Sequence, residues 1–481
     1  MSSLKTKTIN GLFWSFIDNA AVKILQFAIG IILARLLSPK EFGLIGMLTV
    51  FIALSRSFID SGFGNALIRK NQCTQTDYST VFYFNLVVGI LLYIILFISS
   101  GSIAAFFNEP QLRQILQVFG LVVIIDSFTI IQKTILTKNI NFKLQARISV
   151  ISSIGSGIVA ITLAYNGFGV WSLVIQQLLR QGLNSLFLWI WNKWLPTLVF
   201  SRESFKNLFA FGSKLLLSGL IYTTFNNLYY FVIGKFFSAQ ELGFYTRANQ
   251  FSNLPSQQIQ GVISRVSYPV LSEMQDDPVR LKAAYQRLIR STVYITFFLM
   301  LSMAAVAEPM VIGLIGEKWR QSIIYLQLLC IVGMFYPLHA LNLNMLQVKG
   351  RSDLFLKLEI IKNLLIVPVV LLGLSFGIKW MIAGMIVKSF IAYYLNSLWS
   401  GKLIGYSFFE QIKDIWPSFL FAFVISFGIY MLSLIIPFKP LLNFIVLIII
   451  GGVSFVLLSE MLRNKDYIYI RQILFSKLLK K

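Results

Sequence analysis

The chain has 481 residues, 57% of them hydrophobic and 13% charged, and its 42 Lys and Arg outnumber 19 Asp and Glu to give a formal net charge of +23. Soluble domains carry about 25% charged residues, so this composition excludes an ordinary globular enzyme and makes the bilayer the solvent. One histidine and two distant cysteines, Cys73 and Cys330, exclude a metal centre of standard ligand spacing and a disulfide framework.

About fourteen apolar runs, each near the 20 residues a spanning helix needs, follow one another almost without interruption. They are predicted at roughly 10–36, 41–67, 79–105, 112–134, 146–165, 168–192, 207–235, 241–268, 285–307, 320–348, 354–376, 379–401, 414–436 and 440–461. The apolar run from Gly11 to Leu37 is too long for a signal-peptide core and lacks a cleavage pattern, so it is expected to stay in the mature protein. Along it Ser15, Asn19, Lys23, Gln26 and Gly30 share one helical face, with Asp18 beside them. A mid-membrane polar stripe needs water or protein opposite it.

The second run carries Arg56 and Asp60 one turn apart, close enough to pair. Asp126 lies in the fourth run, and Arg180 in the sixth beside Gln176, Gln177 and Gln181. A Lys or Arg at the centre of a spanning helix costs on the order of 3 kcal/mol, so Lys23, Arg56, Arg180 and Lys388 are expected to face a cavity or a partner. The linker from Asn192 to Lys206, with Pro196 and the Arg202-Glu203 pair, is the expected lobe boundary.

Just beyond it the chain repeats itself. Ser38, Glu41 and Gly43 of Arg35-Leu-Leu-Ser-Pro-Lys-Glu-Phe-Gly43 recur as Ser238, Glu241 and Gly243 of Lys235-Phe-Phe-Ser-Ala-Gln-Glu-Leu-Gly243. Six predicted spans separate the copies, an even number, so the copies share one orientation and imply a pseudo-symmetry axis along the membrane normal. The expected architecture is therefore an all-α polytopic membrane protein with two six-helix lobes, 1–205 and 206–405, and a segment 406–481 holding two extra helices and a basic tail.

The eighth run reads Tyr245-Thr-Arg-Ala-Asn-Gln-Phe-Ser-Asn-Leu-Pro-Ser-Gln-Gln-Ile-Gln260, too rich in amides to face lipid along its length. Arg247, Asn249, Gln250 and Asn253 are expected to line a cavity with Asn19 and Gln26, and Pro255 removes one helical hydrogen bond. His339 stands near Asn342 and Gln347, and a lone histidine is more often a packing residue than a proton carrier. Glu359 precedes Lys362 by three residues, within pairing distance on one face. Lys214 and Lys362 are read as snorkelling cations near helix ends. The last two runs carry no charge from Ile415 to Phe438 or from Pro440 to Ser459, as lipid-facing additions would.

Basic residues favour the loops on the side of the termini by about three to one, which puts both termini in the cytoplasm and accounts for most of the net charge. Leaflet contact, and not nucleic-acid binding, explains the basic excess. There is no G-x-x-x-x-G-K-[ST] loop for a nucleotide and no nucleophile elbow.

Leu33-Ala-Arg-Leu-Leu-Ser-Pro-Lys-Glu-Phe-Gly43 with Asp60-Ser-Gly-Phe-Gly-Asn-Ala-Leu-Ile-Arg69 resembles the polysaccharide-export flippases of the multidrug/oligosaccharidyl-lipid/polysaccharide superfamily. So do Tyr245-Thr-Arg-Ala248, Leu254-Pro255 and Arg265-Val-Ser-Tyr-Pro-Val-Leu-Ser272. The resemblance spans nearly the whole chain and is nearest to the lipopolysaccharide and capsule export branch. It implies a V of two six-helix lobes in the bacterial inner membrane that moves undecaprenyl-pyrophosphate-linked oligosaccharide to the outer leaflet by alternating access. It also implies cavity cations on the first, second and eighth helices, which makes Lys23, Arg56 and Arg247 the candidates, joined by Arg180 and Lys388. A pyrophosphate is a compact polyanion that such cations would bind strongly in a low dielectric.

Asp18, Asp60, Asp126 and Glu359 are the candidate pairing acids, or the acids that would couple transport to a monovalent cation or proton; no cofactor is expected. Expected partners are the lipid-linked oligosaccharide and membrane lipids, the protein being a monomer, alone or with other polysaccharide-assembly membrane proteins. Two readings compete. A cation-coupled exporter of drugs or other amphiphiles would favour an acid-rich cavity, whereas cations outnumber acids here. A membrane glycan polymerase or ligase would carry a substantial outer loop, and the outer loops here are short.

Overall fold

The computed structural model describes residues 22–478, the side chains of 265–266 and 473–478 excepted, and within them it contains helices and no strands. In chain order these are α1 (22–36), α2 (Pro39–Asp60), α3 (Phe63–Arg69), α4 (Gln75–Phe107), α5 (Leu112–Phe119) and α6 (Leu121–Lys138). They continue as α7 (Phe142–Tyr165), α8 (Val170–Asn192), α9 (Arg202–Phe236), α10 (Ala239–Glu273), α11 (Pro278–Ala305), α12 (Ala307–Ile315) and α13 (Ser322–Gly333). The rest are α14 (Tyr336–Val348), α15 (Ser352–Leu364), α16 (Ile366–Phe376), α17 (Ile378–Ile404), α18 (Phe408–Ile435), α19 (Pro440–Met461) and α20 (Lys465–Leu478).

Helix starts follow from local chemistry. Ser38 and Glu41 form a capping box at α2, where the Ser38 N–H donates to Glu41 Oε2 at 2.6 Å and Pro39 occupies the first turn. Thr74 and Asp77 repeat the device at α4, and Ser407 and Glu410 at α18. Asp277 followed by Pro278 opens α11. Between α2 and α3, Ser61 and Gly62 take φ of 44° and 69°, so the left-handed pair breaks the second predicted span into two pieces.

Ten helical segments among the described residues are long and apolar enough to cross a membrane, and each coincides with a predicted span. The first predicted span lies partly outside the described residues. The sixth and eighth, α8 and α10, are helices of spanning length whose polar content sets them apart from the ten. The eleventh is divided at Leu365 into α15 and α16, each too short alone.

The chain forms two compact units, 1–243 and 244–481, with the boundary inside α10. In the first unit α9, the seventh predicted span, packs along α2 and α3. Ser57 on α2 meets Thr223 on α9, oxygen to oxygen, at 3.0 Å. The unit's aromatic end is built on Phe63, Phe82 and Leu67, with Trp189, Trp194 and Phe205 packed around them. The two copies of the repeat meet reciprocally here. A Cβ on Gly43 would fall on the Ala239 carbonyl, and one on Gly243 would fall on the Pro39 carbonyl, so glycine is required at both by backbone approach. In the second unit α11 packs along α18, α16 along α17 and α12 along α19, while Tyr294 on α11 bonds Ser459 on α19.

Candidate functional site

Three helices of the first unit bring charge together. On α2, Arg56 sits one turn before Asp60, yet its Nε donates to Asp126 Oδ2 on α6 at 2.5 Å. The expected Arg56–Asp60 pairing is thus replaced by one across helices, and Asp60 turns instead to the Gly64 N–H at the α2–α3 break. A local spacing rule favours the neighbour on the same helix. Packing of α2 on α6 instead brings the Asp126 carboxylate to Arg56 Nε.

Gln181 on α8 donates its amide N–H to the other oxygen, Oδ1, of Asp126. Arg180 donates from Nη2 to Gln177 Oε1 at 2.9 Å and stands within electrostatic range of both Arg56 and Asp126. One carboxylate, its side chain 10% exposed, therefore binds the Arg56 guanidinium, whose side chain stays 44% exposed, with the Arg180 charge in electrostatic range but bonded to Gln177. The cluster carries a net charge of about +1, and guanidinium forks suit phosphate and carboxylate oxygens.

Lys23 and Gln26 are both partly buried on α1, while Ser15, Asp18 and Asn19 lie outside the described residues.

In the second unit Arg247 is enclosed. It is 6% exposed, its Nη1 donates to Gln250 Oε1 at 2.6 Å, and its guanidinium lies 5.8 Å from the centre of the buried Trp319 ring. Asn253 donates to Asn249 Oδ1 at 3.0 Å, one turn back along α10, and Ser252 donates to the Leu329 carbonyl at 3.0 Å. Part of the polar content of α10 is thus satisfied by the helix itself and by α13.

The acid Glu359 on α15 is bridged to Lys362 one turn on, and Lys388 of α17 lies within electrostatic range of both. Lys362, read as a snorkelling cation, has 12% of its side chain exposed and is bridged to Glu359. His339 on α14 is packed, as a lone histidine usually is: its Nδ1 lies 3.4 Å from the Asn396 amide and its ring stacks near Phe335.

The chain matches the model of a family described as polysaccharide biosynthesis proteins over residues 32–324. It is 26% identical to the lipopolysaccharide biosynthesis protein WzxC of Escherichia coli over 91% of this chain and 86% of that one. Identity to the teichuronic acid biosynthesis protein TuaB of Bacillus subtilis is also 26%, over 74% of each. Among solved structures, a lipid II flippase, MurJ, in an inward closed conformation superposes with a TM-score of 0.78 at 16% identity, covering 94% of this chain and 99% of that one. A multidrug resistance transporter of the MATE family superposes at 0.61 and 17% identity, covering 80% and 94%. These two likenesses show the fold alone, an all-helical fold that this chain shares with both. With its family match covering more than half of its length, the chain belongs to the polysaccharide biosynthesis protein family.

Proposed function

We propose that this protein is a flippase that carries a polyprenyl-pyrophosphate-linked oligosaccharide from the cytoplasmic to the outer leaflet of the bacterial inner membrane, by alternating access, for surface polysaccharide assembly. The observation that carries the reading is that two guanidiniums, Arg56 bonded to Asp126 and Arg180 within electrostatic range of it, gather about a single carboxylate. A surplus of positive charge among membrane-spanning helices costs several kcal/mol unless an anion is delivered to it, and a pyrophosphate head group is such an anion. Asp126 holds the Arg56 fork, and a diphosphate would compete with it for the same donors. Lys23, partly buried on α1 in the same unit, is a further candidate cation for the substrate.

Relatives named for lipopolysaccharide and teichuronic acid biosynthesis support a glycan-bearing substrate, and the flippase fold supports movement between leaflets. The protein acts as a transporter and not as an enzyme, with both termini in the cytoplasm. Asp60 and Glu359 are the acids through which a monovalent cation or proton would couple. The test is leaflet accessibility of a labelled pyrophosphate-linked oligosaccharide in liposomes holding only this protein. Label should become accessible from the opposite leaflet faster than in protein-free liposomes; equal rates would end the proposal.

A further inference from the structure

At one end of α17 the second unit gathers two lysines on a single indole. Trp399 packs on a buried cluster of Leu346, Leu354 and Leu358, which fixes its ring. Against that ring lie two exposed lysines from different helices, Lys357 of α15 with its Nζ 5.7 Å from the ring centre and Lys402 of α17 with its Nζ 5.4 Å away. Cation–π attraction at an exposed site is weak, so it steers the ammoniums and leaves their hydrogen bonds to be made elsewhere. The neighbouring acids are already engaged. Arg351 holds Asp353 in a forked pair at 2.9 and 2.7 Å, and Lys362 bridges Glu359. Lys357 and Lys402 themselves meet no acid among the described residues.

Depth separates these lysines from the cations inside the spans. With 27 residues α17 is about 40 Å long, about 10 Å more than the hydrocarbon core is thick. Lys402 stands two residues before the last of that helix, so its ammonium belongs to the headgroup layer. Lys357, on the same ring, shares that level, and a tryptophan there is a typical interfacial residue. Deeper along both helices the surface turns apolar. Ile360 and Leu364 follow Lys357 on one face of α15, and Ile391, eleven residues before Lys402, shares its face of α17; all three are exposed.

We infer that Lys357 and Lys402, set on Trp399, form a docking site for an anionic phospholipid, its phosphate between the two ammoniums and its acyl chains along α15 and α17. The lipid is a resident of the leaflet and not cargo, so the inference goes beyond the flippase reading and does not depend on it. Diffuse attraction of basic loops to an anionic leaflet needs no particular residue. A site on one ring needs both lysines.

The experiment uses the full-length protein, stripped of lipid in a neutral detergent and titrated with dioleoylphosphatidylglycerol, while native mass spectrometry counts the lipids bound. Dioleoylphosphatidylcholine, with the same chains and no net charge, is the control. One phosphatidylglycerol should bind ahead of the rest, and Lys357→Gln and Lys402→Gln should each weaken that first binding about tenfold, the scale of one lost charge-assisted hydrogen bond. Lys357→Arg and Lys402→Arg should retain it, which keeps the result separate from misfolding.

Arg280→Gln, at an exposed basic position near the start of α11, should leave the first binding unchanged. An equal loss in that variant would mean diffuse attraction and overturn the site. Unchanged affinity in both lysine-to-glutamine variants, or phosphatidylcholine bound as tightly as phosphatidylglycerol, would overturn it too. Glycerol 3-phosphate, which carries the phosphate without the chains, should fail to displace the lipid when present in equal amount; displacement would identify a free-phosphate site and remove the lipid from the proposal.

Discussion

Arg56 holds Asp126 at 2.5 Å while 44% of its own side chain stays exposed, and this double engagement fixes what its replacements should do. Arg56→Ala should abolish transfer and also strand a carboxylate whose side chain is 10% exposed, at ~1–3 kcal/mol, between the cost of breaking an exposed pair and that of breaking a fully buried one because Arg56 is only half enclosed. Arg56→Lys should retain part of the activity, keeping charge and losing the fork. Replacing Arg56 and Asp126 together by Ala removes the stranded acid, so stability recovers while transfer stays absent; restored transfer in that double variant, measured at matched membrane levels, would make Arg56 merely the partner of Asp126. The charged residues of this cluster were all legible in the sequence as polar interruptions of apolar runs. Their pairing was not, because Asp60 lies one turn from Arg56 in sequence whereas Asp126 becomes its partner only when α2 packs on α6. Arg247 makes the same point from the other side: its helix announced itself by composition, but enclosure against Trp319 depends on a residue more than seventy positions away.

Helix starts depend on chemistry within a few residues, whereas the spans drawn from hydropathy at 79 and 285 begin four and seven residues inside α4 and α11. Ser38-Pro39-Lys40-Glu41, Thr74 with Asp77, and Asp277-Pro278 announce their helix starts, and the last span, 440–461, coincides with α19. What local chemistry does not announce is division within a span, as at Ser61-Gly62 or Leu365. The repeat also acquires a physical meaning at this scale. Gly43 and Gly243 occupy equivalent places in the two copies and each lies against the other copy's first helical carbonyl. Substituting either with Val must push α2 and α10 apart, an overpacking cost of about 1–3 kcal/mol or more when the obstacle is backbone. Gly43→Val and Gly243→Val should therefore each lower the melting temperature in detergent, and the double variant should lower it by less than the sum of the two, since one displacement relieves both clashes. Full additivity would show that the two contacts are independent.

At the scale of the molecule the direction of transport depends on which way the helices enter the membrane, and the basic loops decide this. About three in four of the basic residues outside the predicted spans fall on the side of the termini, a bias that the positive-inside rule reads as cytoplasmic. The structure supplies the positions at which to test it. Asn166 at the end of α7 and Lys439 before α19 are exposed and belong to loops that the predicted spans put opposite the termini, whereas Leu198, 93% exposed, lies in the linker between α8 and α9, which they put on the terminal side. Native Cys330 is buried, so it contributes little background. Cys73 is partly exposed but lies 2.9 Å from the Lys138 ammonium and against the Leu67 carbonyl, so its silence alone would not distinguish an inward position from a shielded one. Cysteine at Asn166 or Lys439 should react with an impermeant thiol reagent in intact cells. Cysteine at Leu198 should react only after the membrane is opened, and its exposure means that shielding does not explain silence before then. Labelling of Leu198→Cys in intact cells, with Asn166→Cys silent, would invert the topology, and the flippase would then have to work from the outer leaflet inward.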